Sequence, residues 1–406
     1  MHIFTTILIL AITSRVLGQL MSYLRQPAIT GEILAGILLG PAILNYIQPS
    51  EALSGITKLA VFLIVFKSGL ELHLNEIIQV VRGKAFFFSL LCFTLPMIGG
   101  LGVGVAFALP MSGSVFLGLV LALTALPVAI RMLEGLKLFE TRVGHSTMGA
   151  AIFIDLICLL ALGVVLDRRD TSSLRAILTT VAVTGGKMIF FASLILGIEY
   201  LFRLEVEHTR KVRLLIESTM SRLGPEAIFG IAVFFVLFFS SVSESLGFHF
   251  VIGAVFGGLL LNQEVLGIKA FKSVETTLHS FADGFLSPLF FASLGLNFSL
   301  SSITQPWLII SLLVVAFGAK LLAGTFGSSL LNFTWREGAT VGLILNSRGV
   351  MDLVVAQVAL DYGFIGQELF SGLIIVAMFS TLGIPLVARW LVPDSGGRLA
   401  KQVNRP

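Results

Sequence analysis

Asn346-Ser347-Arg348-Gly349-Val350-Met351-Asp352 interrupts an otherwise apolar run covering 337–360. Amide, hydroxyl, guanidinium and carboxylate in succession are too costly to face lipid. A helix carrying them must turn them inward or break at them. Thr124-Ala125-Leu126-Pro127 marks a second such place, inside the apolar run 113–133. A mid-span proline has no N–H to donate and frees a carbonyl of the preceding turn. Pro127 alone reads as an ordinary kink. Thr124 and Asn346, however, stand 222 residues apart (346 − 124), at matching positions of the chain. Paired breaks of this kind point to a midplane binding site, where half-helix ends supply carbonyls and dipoles.

The surrounding composition sets the solvent. The 406 residues are 56% hydrophobic and only 12% charged, with a mean hydropathy of +0.98. Soluble domains carry about 25% charged residues. Apolar segments of about 20 residues, each able to cross a hydrocarbon layer of about 30 Å, recur from end to end. The alternation that a transmembrane barrel needs is absent. The expectation is an all-α polytopic membrane protein with about thirteen transmembrane helices. The spans fall at 3–24, 27–45, 52–71, 84–109, 113–133, 143–166, 174–202, 225–243, 247–262, 283–300, 306–331, 337–360 and 366–392.

Lysine and arginine orient them. Arg25, Arg82, Lys84, Lys137, Arg142, Lys269, Lys272 and Arg336 follow odd-numbered spans, as do the bases of 203–224. This predicts the N-terminus outside and the C-terminus inside, in a bacterial inner (plasma) membrane. The +4 net charge is then a matter of cytoplasmic loops and not of nucleic-acid binding. The basic stretch 203–224 suits a helix lying on the cytoplasmic surface. Cys92 and Cys158 lie in apolar runs, with no disulfide framework or metal spacing.

An internal repeat is legible. Gly31–Leu39 resembles Gly253–Leu261 at an offset of 222 (253 − 31), and the glycines of Phe66–Leu72 and Phe291–Phe298 lie 226 apart (295 − 69). With one span between the halves, corresponding helices point in opposite directions, giving a six-plus-six inverted repeat. Within a single transmembrane domain of 1–406, the first half covers 1–166, a linker helix 174–202 and the second half 225–392. Residues 393–406 form a cytoplasmic tail.

Charges inside spans are functional candidates by default. Asp155 sits in Ala150-Ala-Ile-Phe-Ile-Asp-Leu-Ile-Cys158, apolar for two turns on either side. Burial penalises the charged form of a carboxylate, so such a group can take and release a proton. It is also a hard oxygen ligand for a small cation. One group serving both ligands makes them compete, and exchange follows. The plainer alternative is a structural carboxylate paired with a helix neighbour. Lys320, in Ala316-Phe-Gly-Ala-Lys-Leu-Leu, must pair or lose its proton, and Asp155 is the evident partner. Glu32 and Glu71 read as solvated at helix ends, with Lys67 placed to bridge to Glu71 one turn away. No nucleophile–base pair, phosphate loop or metal cluster points to an enzyme or a cofactor.

Pro27-Ala-Ile-Thr-Gly-Glu-Ile-Leu-Ala-Gly-Ile-Leu-Leu-Gly-Pro41 resembles the early signature of the monovalent cation:proton antiporter superfamily, in its second branch of potassium efflux systems and plant cation exchangers. His249–Leu261 and Phe291–Leu296 are similar to its later signatures, and Asn346–Asp352 resembles the plant-type form. The resemblance spans essentially the whole chain. It implies a homodimer in the lipid bilayer, a mobile core domain moving against a dimerisation domain, and elevator-type alternating access. Spans five and twelve would be the two crossing discontinuous helices. Asp155 matches the ion-binding aspartate, Thr124 the polar residue of the first crossing and Lys320 the core lysine. Asn346, Ser347, Arg348 and Asp352 fall at the second crossing. The chain departs at Ile154, where the resembled proteins carry Asp, Asn or Gln. Isoleucine can neither ligate a cation nor pair with Lys320.

The expected activity is therefore exchange of protons for Na+ or K+, with Asp155 alternately protonated and bound to the monovalent cation. Two further readings keep the fold: proton-coupled transport of a different solute, and a nontransporting membrane sensor subunit.

Overall fold

A computed structural model describes residues 2–24, 26–71, 83–166, 186–187, 193, 197, 224–246 and 248–391. The surface helix expected at 203–224 (all but Gly224), most of the linker span 174–202 and the tail 393–406 lie outside the described residues. Among the described residues every regular element is helical. Six helices among the described residues are long and apolar enough to cross a membrane: Ile3–Tyr23, Glu51–Glu71, Lys84–Ala106, Glu226–Ser245, Pro306–Leu331 and Gln367–Ile384. Others are short. Ala28–Leu39, Met111–Ala122 and Phe250–Leu260 are apolar helices of 12, 12 and 11 residues, about 18 Å at most, well under a bilayer's apolar thickness.

The first helix shows the logic of packing in lipid. Thr6, Leu10, Ser14 and Gly18, each one turn from the next, are its buried residues, while Phe4, Leu8, Ile12 and Val16 are exposed. Apart from Leu10, small and polar residues face the protein, while large apolar ones face outward. Helices meeting in lipid gain by close backbone approach and lose nothing by exposing apolar side chains.

The chain divides into two units. One comprises 1–54, 75–158 and 291–406, and the other 55–74 and 159–290. In the first, Ala28–Leu39 packs on Ile3–Tyr23 so closely that a Cβ at Gly31 would overlap the Leu17 carbonyl. That approach also buries Glu32, which is 5% exposed and lies against Gly18. The solvated glutamate expected from the sequence is corrected accordingly. In the second unit, a Cβ at Gly253 would overlap the Phe239 carbonyl. Gly253 follows Gly31, and Phe239 follows Leu17, by the same 222 residues (253 − 31; 239 − 17).

Between the spans expected at 247–262 and 283–300 the second unit also holds the amphipathic helix Ile268–Phe281, continued by a π-helical turn at Ala282–Leu286. Lys67 reaches Glu71 at 3.8 Å, as expected, but bonds more closely to Asp283. His279 Nδ1 lies 2.8 Å from the same carboxylate.

Gly31→Ala and Gly253→Ala should each lower stability by about 1–3 kcal/mol, the usual cost of overpacking, read as an earlier thermal unfolding in detergent. Gly55→Ala, where nothing lies within 4 Å of the added methyl, should be neutral or stabilising.

Candidate functional site

Both sequence-marked breaks are real, and both lie in the first unit. Helix Met111–Ala122 stops at Leu123, and a new helix begins at Leu126 with Pro127 in its first turn. Proline is tolerated there because the first N–H groups of a helix have no intrahelical acceptor. Helix Trp335–Leu345 starts at a capping box. The Thr334 hydroxyl accepts from the Glu337 N–H, and the Glu337 carboxylate accepts from the Thr334 N–H. It ends at Asn346, and Val350–Asp361 resumes after Gly349, whose N–H donates to Asp352 Oδ1 at 2.7 Å.

The two breaks bind one another. Ala125 N–H donates to the Ser347 carbonyl at 2.9 Å, and Ser347 Oγ donates back to the Ala125 carbonyl at 3.2 Å. Thr124 Oγ1 donates to the Leu345 carbonyl at 2.8 Å. Backbone groups that water cannot reach are thus satisfied by the opposite break.

Two cations close the end of Met111–Ala122. Lys320, fully buried on Pro306–Gly327, donates from Nζ to the Ala122 carbonyl at 2.5 Å and to Thr124 Oγ1 at 2.8 Å. Arg348, 2% exposed, donates to the Leu121 carbonyl at 3.1 Å and to the Val120 carbonyl. The C-terminus of a helix carries roughly half a negative charge, and this one faces two basic side chains.

Asp155 lies on Arg142–Leu166. The residue is half-buried, but its Oδ1 is cut off from solvent and has no hydrogen-bond partner. The backbone of Thr124 approaches this carboxylate, and Lys320 and Asp352 stand within its electrostatic reach. Yet Lys320 makes no ion pair with Asp155 among the described residues; its Nζ is taken by Ala122 and Thr124. The pairing anticipated from the sequence is replaced by a helix terminus. Ile154 is fully buried and apolar.

All seven residues singled out in the sequence therefore belong to one unit. Hydrogen bonds join Thr124, Ser347, Arg348 and Lys320 to the half-helix ends, and Thr124 carries the link to Asp155. Asp352 caps the following half-helix. Asn346 is 1% exposed, and neither its Oδ1 nor its Nδ2 has a partner. Sequence reasoning missed the individual carbonyls of Val120, Leu121 and Ala122. Their only signal was the proline downstream. It also missed Cys158, whose thiol points to the Leu119 carbonyl at 3.9 Å, three residues beyond Asp155.

Two hydrogen-bonded helix breaks, with buried cations and an unpaired carboxylate beside them, define the class of ion-coupled membrane transporters. Comparison with known proteins makes the family explicit. The model of the sodium/hydrogen exchanger transmembrane family matches residues 6–393, and the chain belongs to that family. It is 29% identical to the Na(+)/H(+)-K(+) antiporter GerN of Bacillus cereus over 396 residues, 95% of each chain. It is 29% identical to Cation/H(+) antiporter 19 of Arabidopsis thaliana over 402 residues, covering 92% of this chain and 48% of that one. It thus spans about half of the plant relative. The solved structure of the sodium proton antiporter MjNhaP1 from Methanocaldococcus jannaschii shares its fold, with a TM-score of 0.67, 17% identity and 99% of each chain covered. This is a family of transporters and not of enzymes.

Arg348→Gln should cost about 1–3 kcal/mol for each buried carbonyl, Val120 or Leu121, that it leaves without a donor. Backbone hydrogen exchange should rise at 120–125. Arg348→Lys should restore little, since a lysine cannot span two carbonyls as the guanidinium fork does.

Proposed function

We propose that this chain is a secondary transporter that exchanges protons for Na+ or K+, with Asp155 alternately protonated and cation-bound. The observation that carries the reading is the Asp155 carboxylate, whose Oδ1 is out of solvent and unpaired beside the joined helix breaks. A carboxylate locked in an ion pair would have no oxygen to offer. This one is approached by a single backbone N–H, while the neighbouring lysine is held elsewhere. The names of the relatives, Na+/H+ and K+/H+ antiporters, agree with such an exchange.

The same reading assigns a six-plus-six inverted repeat of thirteen helices, a homodimer, and orientation with the N-terminus outside a bacterial inner membrane. The matched packing at Gly31 and Gly253 supports the repeat. Hydrogen bonds between the two breaks support elevator-type access, because they let both broken helices travel as one body. A second reading, proton-coupled transport of another solute, draws on Ile154, which adds no ligand beside Asp155.

Reconstitution into proteoliposomes under an imposed pH gradient separates these. The wild-type chain should exchange protons for Na+ or K+, and Asp155→Asn should fall to the level of empty liposomes. Lowering the pH by one unit should raise the cation half-saturation constant by up to about tenfold, the limit when two ligands share one carboxylate. Continued exchange by Asp155→Asn overturns the mechanism. Proton movement that is independent of cations but driven by solute counterflow selects the second reading.

A further inference from the structure

We propose that Asn346 is the specificity-determining ligand of the exchanged cation, its side-chain oxygen completing the site that Asp155 begins. The inference rests on the exchange reading above and names how its site is built. Two half-helices end at the joined breaks, and their C-terminal carbonyls are treated differently. Those of Met111–Ala122 face the fixed charges of Arg348 and Lys320. Those of Trp335–Leu345 receive only neutral donors: the Asn346 N–H at Leu343, the Ser347 N–H at Ile344 and the Thr124 hydroxyl at Leu345. Among the described residues no lysine or arginine bonds directly to the last carbonyls of the second half-helix, although each dipole attracts positive charge equally.

Asn346 caps that end. It is 1% exposed, and both its amide nitrogen and its amide oxygen lack a partner. Because both are unpaired, exchanging the two atoms in the amide changes nothing. Among the described residues no other side chain is buried with two orphaned polar atoms. The remaining cases are single atoms, such as the hydroxyls of Ser14, Thr30, Ser240 and Ser380, which can rotate toward a helix carbonyl. An amide with four hydrogen-bonding capacities has no such local remedy, and leaving it unmade is expensive.

The second orphaned oxygen is that of Asp155. Thr124 ties the two together: its backbone approaches Asp155, and its hydroxyl donates to the carbonyl of Leu345, the residue before Asn346. Ile154, fully buried, offers nothing. A desolvated Na+ or K+ needs several oxygens, and an amide oxygen is a hard ligand that adds no fixed charge. Asn346 thus supplies affinity and discrimination between ions of different radius, while Asp155 supplies the exchange with protons.

The test uses the full chain, purified and reconstituted, with NaCl and KCl as the probes. Asn346→Ala should raise the cation half-saturation constant about tenfold or more and compress the Na+/K+ ratio of half-saturation constants toward one. Its maximal rate should change less, and salt-dependent thermal stabilisation should weaken by a similar factor. Asn346→Asp, of the same shape and keeping an oxygen, should retain salt-dependent stabilisation and tighten it severalfold at alkaline pH. Should Asn346→Ala not fold, the aspartate variant decides alone, and an unchanged midpoint overturns the proposal. Wild-type half-saturation constants and ion ratios in a folded Asn346→Ala protein also overturn it. If Asp155→Asn meanwhile abolishes exchange, the exchange reading stands and only the role of Asn346 falls.

Discussion

Breaking a helix within a hydrocarbon layer strips carbonyls and N–H groups of partners that water cannot replace. Here each break completes the other. Ala125 and Ser347 exchange two hydrogen bonds, and Thr124 binds the Leu345 carbonyl. Neither interruption would be tolerable alone, since every group left over would cost about as much as a lost hydrogen bond. The two breaks are therefore structurally and mechanically a pair. A displacement of one that did not carry the other would expose the same orphaned groups.

The placement of charge follows from this joint. The last carbonyls of Met111–Ala122 converge where no water enters, and Lys320 and Arg348 meet them. Burying a lysine and an arginine is costly, but a helix terminus repays part of that cost through its dipole and its free lone pairs. What stabilises the first half-helix removes Lys320 from Asp155. The carboxylate is then left beside the Thr124 backbone, with Oδ1 uncommitted. Chemical availability at Asp155 is thus a by-product of how the backbone ends are satisfied.

Much of this was legible in the sequence because the signals are local. Pro127, the Asn346–Asp352 run, and single charges at 155 and 320 stand out against apolar surroundings, and the membrane makes such exceptions expensive. The hidden part is pairing across the chain. Nothing near Lys320 announces an acceptor 198 residues away, and nothing near Arg348 announces Val120 and Leu121. The fate of Glu32 was hidden for a related reason. Its position near a helix start suggests solvent, but Gly31 lets the backbone of a neighbouring helix close over it. Helix Ile268–Phe281 was missed because charges such as Lys269, Lys272 and Glu275 dilute the apolar signal on which the span reading relied.

Ile154 acquires a physical sense in this setting. The centre holds two cations, Lys320 and Arg348, and two carboxylates, Asp155 and Asp352, so their formal charges cancel (2 − 2 = 0). A carboxylate at 154 would add a charge that neither Lys320 nor Arg348 is free to meet, because both are spent on carbonyls. An apolar residue leaves the balance intact. On the proposed exchange, Asp155 then accepts one positive charge whether it holds a proton or a monovalent cation. The loaded centre has the same net charge in both states. The dipoles and buried cations around it need not rearrange to suit one ligand over the other, which is the electrostatic condition for carrying either across the same barrier.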